Sequence, residues 1–202
     1  MKLDKAFPAL KHLNIPNLIT TCGLIFGVFA AYQLTQQNLR MAIILLGFAG
    51  VMDLLDGLAA SKLKQITEFG KYLDTLVDFF ICCIMPIWMV FDLIVQGSIW
   101  NNIFVVIALI FYCMCGLWRL AYYNIVEAKG HFTGLPVPGS MMLVTIAIWC
   151  VEMYGVTNWL VVGAFFGVGL LMISGAQLTK YGLWQKLMVV IAGGFAVVVI
   201  FG

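Results

Sequence analysis

The stretch AIILLGFAGVMDLLDGLAAS, residues 42–61, is an apolar run that ends with two carboxylates. Its length matches the roughly 20 residues that an α-helix needs to cross about 30 Å of hydrocarbon. The whole chain has a similar character, since 63% of its 202 residues are hydrophobic, 10% are charged and 20 are glycines. Water-soluble domains do not have this composition. The stretch therefore predicts an all-α integral membrane protein.

Further apolar runs of spanning length follow one another along the chain. They predict seven membrane spans, at residues 16–34, 41–60, 69–95, 100–122, 138–154, 159–178 and 184–201. Residues 1–15 are basic and contain Pro8, which predicts a short interfacial segment before the first span. Because the loops are short and no internal repeat recurs, we expect one helical domain.

Basic residues predict the orientation of the chain, because short cytoplasmic loops carry an excess of Lys and Arg. Arg40 is the one basic residue on the predicted outer side. The ten on the predicted cytoplasmic side are Lys2, Lys5, Lys11, Lys62, Lys64, Lys71, Arg119, Lys129, Lys180 and Lys186. Most need no role beyond topology, although such a face also favours anionic headgroups or phosphates.

Four aspartates belong to two spans that a short basic loop joins. A carboxylate at the centre of a spanning helix costs about 2.5–3.5 kcal/mol, so four together indicate a function. Asp53 and Asp56 are three residues apart, and Asp74 and Asp78 are four apart. Each pair therefore lies on one face of its helix. We expect the two faces to turn towards each other.

A hard divalent cation is the expected partner of these carboxylates. Four converging carboxylates repel unless protons or a cation occupy the site, and oxygen ligands favour Mg²⁺, Mn²⁺ or Ca²⁺. His12 and His131, the two histidines, lie elsewhere in the sequence, so zinc is not expected. The six cysteines lie within predicted spans without a metal-binding spacing and are expected to be small apolar fillers.

The spacing of these residues carries a family resemblance. The pattern Asp53-x2-Asp56-Gly57-x2-Ala60-Ser61-x8-Gly70-x3-Asp74-x3-Asp78 resembles the signature of the CDP-alcohol phosphotransferase family. The resemblance implies a six-helix membrane core, here residues 16–178, with residues 179–202 as an additional C-terminal helix. It also implies a homodimer in the cell (inner) membrane, with the site open to the cytoplasm.

The same resemblance implies a reaction and a set of roles. Members transfer a phosphatidyl or related group from a CDP-linked donor to an alcohol and release CMP, with Mg²⁺ or Mn²⁺ at the aspartates. Asp53, Asp56 and Asp74 would be metal ligands, and Asp78 would be both a ligand and the general base. Gly57, Ala60 and Gly70 would make room for the cytidine. The full set expected to bind the CDP group is Asn17, Thr20, Asp56, Gly57, Ala60, Ser61, Lys62, Lys64 and Gly70.

Ser61 departs from the family pattern, which has arginine after the alanine. Arginine would supply a bidentate phosphate contact, and serine lacks its charge. Lys62 or Lys64 can act as substitute point charges. Without such compensation, the chain would be a weakened member of the family.

Three further segments resemble the phosphatidylserine synthase branch of the family. They are IPNLIT at residues 15–20, RLAYYN at 119–124 and FTGLPVP at 132–138. The resemblance implies CDP-diacylglycerol as donor and L-serine as acceptor, with Arg119 binding the serine carboxylate and Asn124 the headgroup. Arg119 snorkelling to the interface is the structural alternative. Tyr122 stands where the branch often has a second basic residue, and glycerol phosphate, inositol phosphate or another amino alcohol stays open as acceptor.

Two other classes of protein would also gather membrane carboxylates. A transporter needs polar groups through the membrane depth, and usually inverted repeats, neither of which this sequence has. A scaffold that retains the motif without catalysis is favoured by Ser61 alone. Release of CMP distinguishes the enzyme from both, and no nucleic acid partner is expected.

Overall fold

The computed structural model describes residues 7–126 and 132–178, and in these residues it contains six long helices. The helices are α1 (Ile15–Thr35), α2 (Leu39–Lys62), α3 (Glu68–Gln96), α4 (Ile103–Ile125), α5 (Val137–Tyr154) and α6 (Trp159–Ile173). A 3₁₀ helix, Pro8–His12, precedes α1. Strands β1 (Phe132–Thr133) and β2 (Gln177–Leu178) form one short antiparallel pair. The prediction of an all-α membrane protein is confirmed, and the predicted seventh span lies outside the described residues.

Polar side chains begin four of the helices by accepting a hydrogen bond from a free backbone N–H, as N-caps do. Asn14 accepts from the amide of Asn17, and Thr67 accepts from that of Gly70. The corresponding caps of α2 and α4 are Asn38 and Asn102. These short polar residues between apolar runs explain why each of these four spans begins within about three residues of its predicted position.

The sixth span is shorter than predicted. Helix α6 ends at Ile173 because the chain turns extended at Ser174 and then enters β2. Its 15 residues give a length of about 22 Å. The backbone amide of Gly134 donates to the carbonyl of Ala176 at 2.9 Å, so β1 and the chain after α6 are joined. The apolar run that predicted a span to residue 178 thus ends in a strand pair.

Helix α3 lies at the centre of the bundle. It contacts α1 on one side and α4 and α5 on the other, whereas α6 packs against α4 and α5. The core includes Tyr112 of α4 and Phe165 of α6, which meet edge to face with ring centroids 5.0 Å apart. Large apolar side chains such as Phe29 and Trp118 are more than half exposed on the outside. Such a surface suits lipid, and the chain is a multi-pass membrane protein.

A π-helical stretch, Phe79–Ile84, interrupts α3 directly after Asp78. Its amide bonds reach one residue further back than in an α-helix, as in the bond from Met85 to the carbonyl of Phe80. Pro86 follows closely and has no N–H to offer the carbonyl of Cys82, four residues earlier. Proline at this position also crowds that carbonyl, which favours a local change of helix type. The distortion therefore begins at the last aspartate of the motif.

Candidate active site

A pocket lies between α1, α2, α3 and the start of α5, and its volume of about 280 Å³ includes open solvent at its mouth. Its lining comprises Thr20, Gly23, Ala49, Gly50, Asp53, Asp56, Asp74, Val77, Asp78, Ile81, Cys82 and Pro138. Asp56 lies six residues before the end of α2, and Asp78 ten residues after the start of α3. These spacings correspond to depths of about 9 and 15 Å from the helix ends. The pocket thus lies within the helix bundle, near one of its ends.

The four aspartates converge on this pocket, as the helical spacing predicts. One carboxylate oxygen from each of Asp53, Asp56 and Asp74 lies within 4.8 Å of the others. Asp53 is within hydrogen-bonding reach of both Asp74 and Asp78. Asp78 lines the pocket one helical turn beyond Asp74. The arrangement concentrates negative charge at membrane depth, which is the feature of a functional site.

Helix α1 supplies a hydroxyl to this cluster. The Thr20 side chain donates a hydrogen bond to Asp56 and also lies 3.2 Å from the carbonyl oxygen of Pro16. Both Thr20 and Asp56 are buried. Thr20 therefore orients the Asp56 carboxylate, a contact that its predicted role in binding CDP did not include.

Gly70 allows α1 and α3 to approach closely. A Cβ atom at Gly70 would lie 2.6 Å from the side-chain oxygen of Asn17 and 3.1 Å from the hydroxyl of Thr67. Asn17 is buried and donates from its amide nitrogen to the carbonyl of His12 at 2.8 Å. Gly70 thus has a packing role beside the predicted one in making room for the cytidine.

The other residues predicted to bind the CDP-linked donor lie around the end of α2 and not in the aspartate pocket. Gly57 is exposed, and a Cβ atom there would meet nothing within 4 Å. Ser61, Lys62 and Lys64 are exposed, and Ala60 is partly buried. Lys64 has a left-handed backbone with φ 54° in the connection to α3. This open edge leaves room for a group larger than the pocket itself holds.

Arg119 is buried near the C-terminal end of α4. It is 8% exposed, and its guanidinium carbon lies 4.5 Å from the centre of the Tyr123 ring. Its Nε has no hydrogen-bond partner among the described residues. The guanidinium is near enough to Asp78 for their charges to interact. Arg119 therefore does not snorkel to the surface, and its guanidinium lies within range of the charge of Asp78.

Asn124 forms hydrogen bonds with residues of α3. Its amide nitrogen donates to the hydroxyl of Thr75 at 3.0 Å, and its backbone carbonyl accepts from the Lys71 ammonium at 2.8 Å. These bonds join the N-terminal part of α3 to the C-terminal end of α4. The predicted contact of Asn124 with a substrate headgroup stays a prediction.

Seven residues of the pocket lining have no role in the sequence-based prediction, and Cys82 and Pro138 are two of them. Cys82 follows Asp78 by four residues, so the spacing that places Asp74 and Asp78 on one face could also have indicated it. The sequence places Pro138 at the start of a predicted span, and the structure shows that it also lines the pocket from α5. No local pattern distinguishes Pro138 from a structural proline.

Comparison with known proteins agrees with this geometry. Residues 13–191 match the family model described as CDP-alcohol phosphatidyltransferase. The chain belongs to this family. The match covers all six helices that the structure describes, and it confirms the resemblance found in the aspartate and glycine pattern.

Curated relatives within the family act on different alcohols. A CDP-diacylglycerol–serine O-phosphatidyltransferase of Methanocaldococcus jannaschii is 29% identical over 87% of this chain and 78% of its own. A protein of the same name from Bacillus subtilis is 28% identical over 65% of this chain and 73% of its own. A CDP-diacylglycerol–glycerol-3-phosphate 3-phosphatidyltransferase of Aquifex aeolicus is 39% identical over 33% of this chain and 37% of its own.

Membership of the family implies use of a divalent metal, and the cluster fits one. Asp53, Asp56 and Asp74 offer three oxygen ligands close enough to share an ion. Carboxylate oxygens are the ligands that Mg²⁺ and Mn²⁺ prefer. A cation would also remove the repulsion between carboxylates that face one another in a buried pocket.

Proposed function

We propose that this protein is a phosphatidylserine synthase, which transfers the phosphatidyl group of CDP-diacylglycerol to L-serine and releases CMP. The observation that carries the proposal is the buried Arg119, whose Nε–H has no partner among the described residues and whose charge lies within range of Asp78. A buried cation in the membrane calls for an anionic partner. Serine brings a carboxylate to Arg119 and a hydroxyl to Asp78.

The reaction forms a bond between the serine hydroxyl oxygen and the β-phosphorus, which carries the diacylglycerol, and breaks the bond from that phosphorus to CMP. Asp78 takes the hydroxyl proton as general base. Arg119 holds the serine carboxylate by charge-assisted hydrogen bonds and so orients the attacking oxygen. Asp53, Asp56 and Asp74 would hold Mg²⁺ or Mn²⁺, and the bound ion would supply positive charge to neutralise the pyrophosphate.

The donor would lie along the open edge at the end of α2. Gly57 and Ala60 leave space beside the backbone for the cytidine, and Lys62 and Lys64 lie near enough in sequence to meet its phosphates. Ser61 stands where the family pattern has arginine, so these lysines supply the positive charge as point charges. We further propose that the protein lies in the inner membrane with this edge facing the cytoplasm. We also propose that it is a homodimer.

Serine is favoured over glycerol phosphate by the extent of the similarity. The two serine-transferring relatives align over 87% and 65% of this chain, whereas the glycerol-phosphate relative aligns over 33%. The longer alignments reach beyond the aspartate motif, where acceptor-binding residues are expected. Glycerol phosphate is therefore the alternative acceptor to test first.

Release of CMP by the detergent-purified protein tests the proposal. The protein is supplied with CDP-diacylglycerol and Mg²⁺ or Mn²⁺, and L-serine is compared with glycerol phosphate, inositol phosphate and no acceptor. We expect release only with serine and none after chelation of the metal. Release with another acceptor would reject serine transfer and retain the family reaction. Release that begins only after Ser61→Arg would show that the natural chain lacks an effective phosphate contact.

A further inference from the structure

Tyr112 carries a buried hydroxyl whose position the proposed reaction does not use. The side chain is 0% exposed in α4, and its hydroxyl donates to the backbone carbonyl of Cys82 at 2.8 Å. A buried hydroxyl is costly unless it is hydrogen-bonded. Phenylalanine would fill the same space without that cost. The hydroxyl therefore indicates that the carbonyl of Cys82 needs a hydrogen-bond donor from another helix.

The requirement comes from Pro86. The carbonyl of Cys82 would accept from the amide of residue 86 in an α-helix, and proline has none. A buried carbonyl without a partner is strongly disfavoured. Tyr112 supplies from α4 the donor that α3 lacks at this position. The hydrogen bond from Tyr112 thus satisfies a carbonyl within the π-helical stretch Phe79–Ile84.

A second hydroxyl, from α5, completes the contact. Ser140 is fully buried, and its oxygen lies 3.2 Å from the Tyr112 hydroxyl and 2.6 Å from the carbonyl of Val137. Each hydroxyl has one proton. With the Tyr112 proton on Cys82, the Ser140 proton is shared between Val137 and the Tyr112 oxygen. The start of α5, which lines the pocket through Pro138, is therefore joined to the same stretch.

Close packing of α4 on α3 makes this contact possible. Gly116 lies one turn after Tyr112 on the same face of α4, and the Cys83 sulfur occupies the space that a Cβ atom there would need. The stretch that Tyr112 holds begins immediately after Asp78 and contains Cys82, and both residues line the aspartate pocket. A π-helical turn shifts the rotation of the residues before it relative to those after it, and such turns are frequent at functional sites.

We propose that Tyr112, supported by Ser140, is a positioning residue that holds the π-helical stretch and thereby aims Asp78 into the aspartate pocket. This inference rests on the proposed function only where it concerns turnover. Tyr112 does not touch the pocket and acts through the carbonyl of Cys82.

Tyr112→Phe tests the inference, with Tyr72→Phe as the matched control because Tyr72 is 62% exposed on α3. Hydrogen exchange of the amides of residues 79–85 is measured by mass spectrometry with and without Mn²⁺. We expect exchange in Tyr112→Phe to be roughly threefold to tenfold faster. We also expect Mn²⁺ to slow this exchange in the wild type and to slow it less in the variant. Ser140→Ala should show a smaller change in the same direction.

Turnover provides the second readout. In Tyr112→Phe we expect kcat to fall by on the order of tenfold to a hundredfold, with KM for serine and for CDP-diacylglycerol unchanged. Unchanged exchange would overturn the inference. Faster exchange with an unchanged kcat and full slowing by Mn²⁺ would overturn it as well. A wild type that releases no CMP would reject the proposed function, and the Mn²⁺ comparison would still decide the inference.

Discussion

Asp78 differs from the other motif aspartates in its surroundings. It lies one turn deeper on α3 than Asp74, next to the π-helical stretch, and outside the group of three whose oxygens lie within 4.8 Å of one another. Arg119 is near enough for its charge to act on Asp78. A carboxylate beside the proposed metal ligands, within range of the charge of Arg119, is suited to the proposed role of accepting a proton from the substrate.

Asp78→Asn should therefore abolish CMP release, by about a hundredfold or more, while the protein remains folded. Asparagine retains the shape of the side chain but is not a base at neutral pH. The measurement is CMP release together with thermal unfolding in detergent. Asp92→Asn is the matched control, because it makes the same change on α3 about 21 Å further along the helix. A purified Asp78→Asn protein with most of its activity would show that another group takes the proton.

Gly70→Ala should destabilise the protein by about 1–3 kcal/mol. The added Cβ would lie 2.6 Å from the oxygen of Asn17, a short side chain that is buried and held by its bond to His12. Thermal unfolding in detergent measures the change. Gly47→Ala is the control, because a Cβ atom there meets nothing within 4 Å. Equal unfolding temperatures of the two variants would contradict the close contact between α1 and α3.

At the scale of elements, helix α3 combines two functions in one span. Its first part carries Asp74 and Asp78, and its second part, after Pro86, packs in the core through Met89 and Leu93. The π-helical stretch separates the two parts and changes the rotation of one relative to the other. The aspartates can therefore face the pocket while the later residues face the core.

Pro86→Ala, combined with Tyr112→Phe, separates stability from positioning. Alanine gives residue 86 an N–H that can bond to the carbonyl of Cys82 in an α-helix. We expect the double variant to recover about 1 kcal/mol of the stability that Tyr112→Phe loses, without recovering kcat. Unfolding and CMP release are measured on both proteins. Wild-type turnover in the double variant would show that the reaction does not need the π-helical geometry.

At the scale of the molecule, the charged end of the bundle and the pocket coincide. Five described basic residues lie towards the end where α1 and α3 begin and α2 and α4 finish, namely Lys11, Lys62, Lys64, Lys71 and Arg119. Arg40 lies at the opposite end. The pocket aspartates lie on the parts of α2 and α3 nearest the first of these ends. The basic end would thus attract the anionic donor towards the aspartates.

Labelling with a membrane-impermeant maleimide tests this orientation. In intact cells, we expect the reagent to label Gln36→Cys, at the Arg40 end, and not Ile66→Cys, between α2 and α3. Both should be labelled after the membrane is permeabilised, and the wild type measures the background from the native cysteines. The reverse pattern would place the pocket on the outer side and contradict the predicted cytoplasmic site.

The sequence by itself determined the membrane character of the protein, the family and the approximate positions of the described spans, except for the end of the sixth. Long apolar runs require helices in lipid, and the spacing of Asp53 with Asp56 and of Asp74 with Asp78 assigns each pair to one helix face. Helical periodicity says nothing about how one helix is rotated against another. Only the tertiary structure decided which groups meet across helices, such as Thr20 with Asp56 and Tyr112 with Cys82. It also decided that Arg119 is buried, because burial of a residue near a helix end depends on its neighbours from other helices.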